Sequence, residues 1–327
     1  MRYQNVELHN IAEIHDGVLY RIPASLLPDL NEKAQARASW TAGAEVRFKL
    51  VGESATVTLQ MVEEPAIAEV YAGPFLMGWH IIQTTPTAIT VKRPEHYDVL
   101  LKVVAQDGAP FAVDCYRVVL PWQFPVRLLD IAGDVTPPAR DQYPRQRWLA
   151  YGSSITQGTI SIRPTDSYVM RTAHLLGVDL INLGFGGGAH CEQAMARYIA
   201  DRDDWDFATL EVGINMWWRF ESPEFEARVR TFITTIARAH PDKWIFCLDM
   251  LPFRGDFGDD RDRLVALRRV VPQVVAELNQ PKLVHIETQP LMPTLTGLSA
   301  DALHPAPGGM WQIASNLAGQ IQRHLGQ

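Results

Sequence analysis

The sequence predicts an α/β protein in two parts, in which an all-β sandwich precedes a domain built on a parallel sheet. Three observations support this prediction. Short strand patterns lie between residues 44 and 120, a proline-rich stretch follows at 121–147, and from Arg147 onward strand patterns alternate with helical patterns. We therefore expect one domain at 1–140 and a second at 141–327.

Within the first part, the stretches 44–50 and 55–61 alternate apolar and polar residues with a period of two. Gly52, Glu53 and Ser54 lie between them and have the composition of a turn, so the pattern predicts a β-hairpin. Further strands are predicted over 68–71, 80–83, 88–91, 99–104 and 111–120. Several short strands without a long helical pattern are typical of a β-sandwich.

The prolines between residues 121 and 147 indicate a connection between domains. There are five of them: Pro121, Pro125, Pro137, Pro138 and Pro144.

Beyond this connection, each predicted strand is followed by a predicted helix. The strands are 148–151, 179–183, 207–212, 244–249 and 283–286, and the helices are 167–176, 191–200, 223–240, 260–278 and 309–325. The helix at 223–240 is the clearest, because Ser222 can cap it and Pro223 suits its first turn. Five such units predict a parallel five-stranded sheet with helices on both faces, whose strand-end loops meet at one edge.

Bulk composition excludes several function classes. The net charge is −7 with no block of Lys or Arg, which argues against a nucleic-acid surface. No window approaches 18 uninterrupted apolar residues, so we expect no membrane span. Residues 1–14 lack the apolar core of a secretory signal, which favours a cytoplasmic location. Cys115, Cys191 and Cys247 are far apart and odd in number, which favours free buried thiols.

A serine, a histidine and an aspartate provide the residue types of nucleophilic catalysis. Ser154 follows the strand that ends at Gly152, at the edge where open α/β sheets bind ligands. Serine is a weak nucleophile unless a base removes its proton, and His304 can be that base. Asp301, three residues before His304, can orient the imidazole and stabilise its charged form.

Four loops in this order resemble the sequence blocks of the SGNH (GDSL-type) hydrolase family. They are 152–155, 182–188, 213–216 and 301–304, and the resemblance covers about residues 147–325. It implies that Ser154 is the nucleophile, with Asp301 and His304 as its partners. Ser153 and Met216 stand where the family often has aspartates, and these departures bear on subfamily and substrate.

The resemblance also implies how the oxyanion of the reaction would be stabilised. The donors would be the amides of Ser154 and Gly187 and the side chain of Asn215, although the choice among the glycines of 184–188 stays open. Losing one such donor costs roughly 3–4 kcal/mol of transition-state stabilisation. Trp217 and His190 follow two of these loops and are candidates for contact with substrate, with core packing as the alternative for both.

The resemblance implies a flavodoxin-like three-layer α/β/α domain, preceded by a jelly-roll-like sandwich as in some carbohydrate esterases. It implies a serine esterase without cofactor or metal, acting on a small-molecule or oligosaccharide ester, with O-acetyl groups of carbohydrates as the first candidates. Whether the chain forms a homo-oligomer stays open.

Two alternatives remain. Residues 184–189 fit the G-x-G-x-x-G/A pattern of a dinucleotide site, with Glu211 as the acid, which would indicate an NAD(P)-dependent oxidoreductase. That pattern, however, lies in the second βα unit and leaves Ser154 and His304 unexplained. The other alternative is a protein that binds glycans without cleaving them.

Overall fold

The computed structural model describes residues 1–326 and contains one antiparallel and one parallel β-sheet. The amino-terminal elements are β1 (Arg2–Tyr3), β2 (Val6–His9), β3 (Glu13–His15), β4 (Val18–Tyr20), α1 (Glu32–Arg37), β5 (Glu45–Met61), β6 (Ala66–Ala72), β7 (Phe75–Ile82), β8 (Thr87–Lys92), α2 (Tyr97–Asp107), β9 (Tyr116–Val119) and β10 (Val126–Thr136). The remaining elements are β11 (Arg147–Gly152), α3 (Ser154–Gln157), α4 (Tyr168–Leu176), β12 (Asp179–Gly184), α5 (Gln193–Ala200), β13 (Phe207–Glu211), α6 (Ser222–Ala239), β14 (Trp244–Leu248), α7 (Arg261–Arg268), α8 (Val270–Leu278), β15 (Leu283–Ile286) and α9 (Pro307–Leu325).

The first ten strands form a sheet that folds over its own apolar side chains. Its order is β3-β4-β10-β5-β9-β6-β7, with β2 and β8 also paired to β5. Residues 45–48 of β5 pair with β2 and β9, whereas residues 54–61 pair with β8 and β10. Side chains from both parts pack into one core. The long strand β5 therefore joins two layers of a sandwich.

The hairpin predicted over 44–61 is wrong, because β5 runs through the predicted turn. Leu50 pairs with Val135 and Ala55 with Gly133, so four residues of β5 lie opposite one residue of β10. This is a bulge, in which Gly133 has φ +110°. A Cβ on Gly133 would lie 2.6 Å from the Ser54 carbonyl oxygen.

The strand predicted over 99–104 is also wrong, since this stretch lies in α2. Leu100 and Val104 pack on the sandwich core, while Val99, Leu101 and Val103 are exposed. That spacing belongs to a helix, and a short apolar run does not distinguish the two by periodicity. The predicted helix 260–278 is two helices, α7 and α8, that meet at Arg269.

The parallel sheet has the order β12-β11-β13-β14-β15, which is the flavodoxin-like arrangement. Successive side chains of β11 enter the cores on its two faces: Leu149 and Tyr151 pack beside α5, α6 and α8, and Trp148 and Ala150 beside α4 and α9. The predicted fold class, a mixed α/β chain with a β-rich part before a five-stranded parallel sheet, is confirmed.

The two sheets share buried contacts. Ile22, Leu30, Ala34 and Ala38, around α1, belong to the core of the parallel sheet. A cavity of about 380 Å³ lies between the sheets, and none of its lining residues is among the predicted site residues. Residues 137–146 separate the sheets in sequence, and the division at 140/141 stays a prediction. Among residues 1–326, no helix has the length and hydropathy needed to cross a bilayer.

Candidate active site

The predicted site residues lie on loops that leave the carboxyl edge of the parallel sheet. Ser154 begins α3 directly after β11, and Gly187 lies in the loop after the neighbouring strand β12. Asn215 follows β13, on the other side of β11. Asp301 and His304 lie in the segment that leads into α9. Topology thus brings together side chains that are far apart in sequence.

The turn from β11 into α3 is tightly packed. Ser153 caps α3, because its Oγ accepts a hydrogen bond from the Ile155 amide at 3.2 Å. A Cβ on Gly152 would lie 2.2 Å from Thr156 Oγ1 and 2.5 Å from Glu211 Oε2. Glycine is therefore required at the strand end, where the chain turns to present Ser154.

The carboxylate of Glu211 fixes this turn through hydrogen bonds. Its buried Oε2 accepts hydrogen bonds from the Ser153 amide at 2.7 Å and from Thr156 Oγ1 at 3.1 Å. Burial raises the pKa of Glu211, and the hydrogen bonds from Ser153 and Thr156 oppose this shift only in part. The sequence indicated Glu211 only as a ribose-binding acid, and its position at the end of β13 was the available signal for a structural role near Ser154.

Ser154, His304 and Asp301 form a continuous hydrogen-bonded chain. Ser154 Oγ lies 2.7 Å from His304 Nε2, and His304 Nδ1 lies 2.6 Å from Asp301 Oδ2. Because Asp301 accepts from Nδ1–H, Nε2 is the nitrogen left to receive the serine proton; this tautomer is assigned from the network. His304 is 15% exposed, so the site is open to a substrate at the surface.

The segment around Asp301 holds its carboxylate in a fixed orientation. Asp301 Oδ1 accepts from the amides of Leu303 and His304, both at 2.9 Å, and from Ser299 Oγ at 2.7 Å. Ala302 has φ +52°, which makes the sharp turn between the aspartate and the histidine. Partial burial favours the neutral acid, but the hydrogen bonds from His304, Ser299 and Leu303 outweigh it and hold the pKa of Asp301 well below its usual range.

The glycine loop, residues 184–188, leaves one backbone amide without an acceptor among the described residues. Three of its glycine N–H groups donate hydrogen bonds within the protein. Their acceptors are Asn182 Oδ1 for Gly184 at 2.8 Å, Gln157 Oε1 for Gly186 at 2.7 Å and the Phe185 carbonyl for Gly188 at 2.9 Å. Within residues 1–326, the Gly187 amide donates to no protein acceptor. Gly187 also has φ +71°, a conformation in which glycine is favoured.

Two further N–H donors, the Ser154 amide and Asn215 Nδ2, also have no acceptor among residues 1–326. The Ser154 N–H lies in the first turn of α3 and has no acceptor in the described part of the protein. Asn215 Oδ1 accepts from the Ala189 amide at 3.2 Å, which orients the side chain so that Nδ2 faces away from that bond. Amides of this kind can stabilise an oxyanion that forms beside Ser154.

Among residues 1–326, neither His190 nor Trp217 makes a hydrogen bond, an ion pair or a ring contact with a residue of the triad. His190 is 4% exposed and packs edge-on against Phe220 at 5.5 Å between ring centroids, and burial lowers its pKa. Trp217 is half-buried and packs against Phe253 at 5.4 Å. Both therefore make the core contacts that were the alternative interpretation, and a role in binding substrate stays a prediction.

The packing of the glycine loop argues against a dinucleotide site. A Cβ on Gly188 would lie 2.5 Å from the Ala34 amide nitrogen, and one on Gly184 would lie 2.2 Å from the Gln157 amide nitrogen. The glycines thus allow close approach of the protein's own backbone, not of a pyrophosphate. Glu211 is buried under Ser153, where it cannot reach a ribose. Among the described residues, no group of three or more His, Cys, Asp or Glu is placed to hold a metal ion.

Comparison with known proteins gives matches of family and fold. Residues 150–312 match the GDSL-like lipase/acylhydrolase family. No curated protein matches the chain. A solved structure of the salicylyl-acyltransferase SsfX3 from a tetracycline biosynthetic pathway is 18% identical, with a TM-score of 0.74 over 98% of this chain and 94% of that chain.

Two other solved structures extend this likeness. A GDSL-like lipase from Bacteroides ovatus is 18% identical, with a TM-score of 0.75 over 98% of this chain and 96% of that chain. A family two carbohydrate esterase from Clostridium thermocellum, in complex with cellohexaose, is 17% identical, with a TM-score of 0.60 over 86% of this chain and 92% of that chain. At these identities the likeness shows a shared fold that includes the β-rich part.

Proposed function

The α/β domain of this chain belongs to the GDSL-like lipase/acylhydrolase family, and on that premise we propose that Ser154 is the nucleophile of a carboxylic ester hydrolase. The observation that carries the proposal is the chain of contacts from Ser154 Oγ through the His304 ring to Asp301, at 2.7 and 2.6 Å. Residues 150 positions apart meet in this geometry. Such a serine–histidine–aspartate arrangement recurs on unrelated folds because it solves the same proton-transfer problem.

The reaction proceeds in two acyl transfers. His304 Nε2 removes the proton from Ser154 Oγ as the oxygen attacks the ester carbonyl carbon. The carbonyl oxygen becomes an oxyanion, which the amides of Ser154 and Gly187 and the Asn215 side chain stabilise. His304 then gives its proton to the leaving alcohol oxygen, and the ester bond breaks to leave acyl-Ser154.

Deacylation repeats these steps with water. His304 removes a proton from the water, whose oxygen attacks the acyl carbon. The same proton returns to Ser154 Oγ as the carboxylic acid leaves. Throughout, Asp301 accepts the Nδ1–H bond and stabilises the imidazolium that forms in each half-reaction.

We propose an oligosaccharide or smaller carbohydrate as the alcohol part and acetate as the acyl part. The proposal is supported by the shared two-part fold with a carbohydrate esterase that binds cellohexaose. Trp217, which is half-buried, and Trp218, which is 60% exposed, follow Asn215 closely in the sequence and provide aromatic surface. A glycan-binding protein without turnover would have no need of an intact, hydrogen-bonded triad.

The test is ester cleavage by purified protein. We expect release of 4-nitrophenol from 4-nitrophenyl acetate and of acetate from acetylated sugars, and Ser154→Ala should abolish both. Ser315→Ala, on the exposed face of α9, is the matched control and should retain activity. Full activity in Ser154→Ala would overturn the assignment. Cleavage of the nitrophenyl ester without any acetylated sugar would overturn only the carbohydrate part.

A further inference from the structure

The part of the chain before the parallel sheet places a cation beside the proposed nucleophile. Arg37 is the last residue of α1, which lies against the glycine loop after β12. The contact is close, because a Cβ on Gly188 would lie 2.5 Å from the Ala34 amide nitrogen. Asn31 fixes the start of α1, since its side chain donates to the Gly188 carbonyl at 2.8 Å. Arg37 therefore has a defined position relative to the loop.

The distance from Arg37 to Ser154 follows from the glycine between them. A methyl group on Gly186 would lie 3.4 Å from Ser154 Cβ and 3.7 Å from Arg37 Nε. Ser154 Cβ and Arg37 Nε can therefore be at most about 7 Å apart. This is the distance at which a substituent next to a scissile ester would meet the guanidinium.

Within the part of the chain that the structure describes, the Arg37 guanidinium has no anionic partner. Among the described residues its side chain makes no hydrogen bond and no ion pair within 4.0 Å, although it is only half-exposed. It stacks on the Trp40 ring at 3.8 Å from the centroid. Partial burial lowers the pKa of Arg37, and the charge of Glu63 opposes this shift. A guanidinium carries five N–H donors, and stacking on one face leaves their edges available.

The other shielded arginines of this region are fully paired. Arg21 donates to four backbone carbonyls, and Arg47 and Arg117 bind the Glu45 carboxylate. Lys33, one turn before Arg37, adds a second positive charge, since its Cγ lies 3.9 Å from a Cβ placed on Gly187. Arg37 thus differs from the paired arginines in that its side-chain donors have no acceptor among residues 1–326.

We propose that Arg37 binds a carboxylate on the substrate and makes the protein selective for esters that carry such a group near the scissile bond. A planar guanidinium recognises a carboxylate through two parallel hydrogen bonds. The inference rests on the proposed esterase function and names a substrate class for it. The carboxylate belongs either to the alcohol part or to the acyl part, and both have the same chemistry toward Arg37.

Two matched substrate pairs distinguish these positions. For the alcohol part, 4-acetoxybenzoate is compared with its methyl ester; for the acyl part, the 4-nitrophenyl monoester of succinate is compared with its methyl ester. In the wild type we expect kcat/KM for the anionic member of one pair to be about 10- to 100-fold above its level in Arg37→Gln, as for hydrogen bonds to a charged group. In Arg37→Gln, the kcat/KM of the anionic member divided by that of the neutral member then reports the intrinsic reactivity of the pair. We call this quotient the anionic-to-neutral ratio.

The control variant removes a positive charge at the opposite end of the sheet. Arg238 is exposed in the last turn of α6, and Arg238→Gln should leave the anionic-to-neutral ratio unchanged. Arg37→Lys should lower the ratio only in part, because the positive charge remains but the planar pair of donors for the two carboxylate oxygens is lost. If Arg37→Gln lowers both members of each pair equally, Arg37 has a general or structural role and the proposal is overturned. The proposal is also overturned if, in both pairs, the ratio in the wild type equals the ratio in Arg37→Gln.

Binding without turnover separates this proposal from the esterase assignment. In the Ser154→Ala background, calorimetric titration should show tighter binding of the anionic member, and adding Arg37→Gln should remove the difference. Equal binding of the two members overturns the proposal. If the wild type cleaves no ester while the Arg37-dependent binding persists, the anion site stands and the esterase assignment fails.

Discussion

At the scale of single residues, Asn215 offers a clean separation of two functions of one side chain. Its Oδ1 accepts from the Ala189 amide, and its Nδ2 is the proposed oxyanion donor. Asn215→Asp keeps the acceptor and loses the donor. We expect kcat on 4-nitrophenyl acetate to fall about 10²- to 10³-fold, equivalent to roughly 3–4 kcal/mol, with little change in unfolding temperature. A kcat within a factor of five of the wild type would exclude the role.

Glu211 provides a prediction about pH. Because burial raises its pKa, the folded protein binds this proton more tightly than the unfolded chain, whose glutamates have a pKa of about 4.3. The stabilisation is complete below that value and is lost as pH rises through the folded pKa. Glu211→Gln, which is always neutral and keeps an acceptor for the Ser153 amide, should gain stability relative to the wild type as pH rises. Parallel curves of unfolding temperature from pH 4 to 8 would contradict this.

At the scale of elements, the second half of the chain was predictable because its strands are buried on both faces. Each of β11 to β15 reads as a short apolar run between turn residues, and the predicted ranges agree with the structure to within one residue at each end. The amino-terminal strands β1 to β4 were missed, because two to four residues carry too little pattern and pair only through tertiary contacts. The bulge at 51–54 was taken for a turn because glycine and serine suit both.

The contact between β12 and α3 gives a prediction at this scale. A Cβ on Gly184 would lie 2.2 Å from the Gln157 amide nitrogen, which is backbone and cannot move without moving α3. Gly184→Ala should lower the free energy of unfolding by about 1–3 kcal/mol, as overpacking does, and should also lower kcat because α3 carries Ser154. Gly319→Ala, in α9 with open space at its Cβ, is the control and should not destabilise. Equal stability of the two variants would contradict the prediction.

At the scale of the whole molecule, the sequence indicated which loops would meet but not what the sandwich contributes. The order of strands in a parallel sheet places the loops after β11, β12, β13 and β15 at one edge, so Ser154, Asn215 and His304 could be named together. Arg37 was not foreseen, because its position depends on how α1 lies on the glycine loop. No periodicity or motif in one part of a chain specifies its contacts with another part.

The Arg47–Asp179 pair carries the last prediction, because it joins β5 of one sheet to β12 of the other. Arg47 donates to both carboxylate oxygens of Asp179, at 2.6 and 3.1 Å, and both side chains are 1% exposed. Arg47→Met leaves Asp179 charged and buried without its main partner, which should lower the free energy of unfolding by about 3–5 kcal/mol. Arg47→Met with Asp179→Leu should recover most of this loss, since the uncompensated charge is gone. Urea unfolding followed by tryptophan fluorescence measures both variants; a double variant no more stable than Arg47→Met would show that the pair does not couple the two sheets.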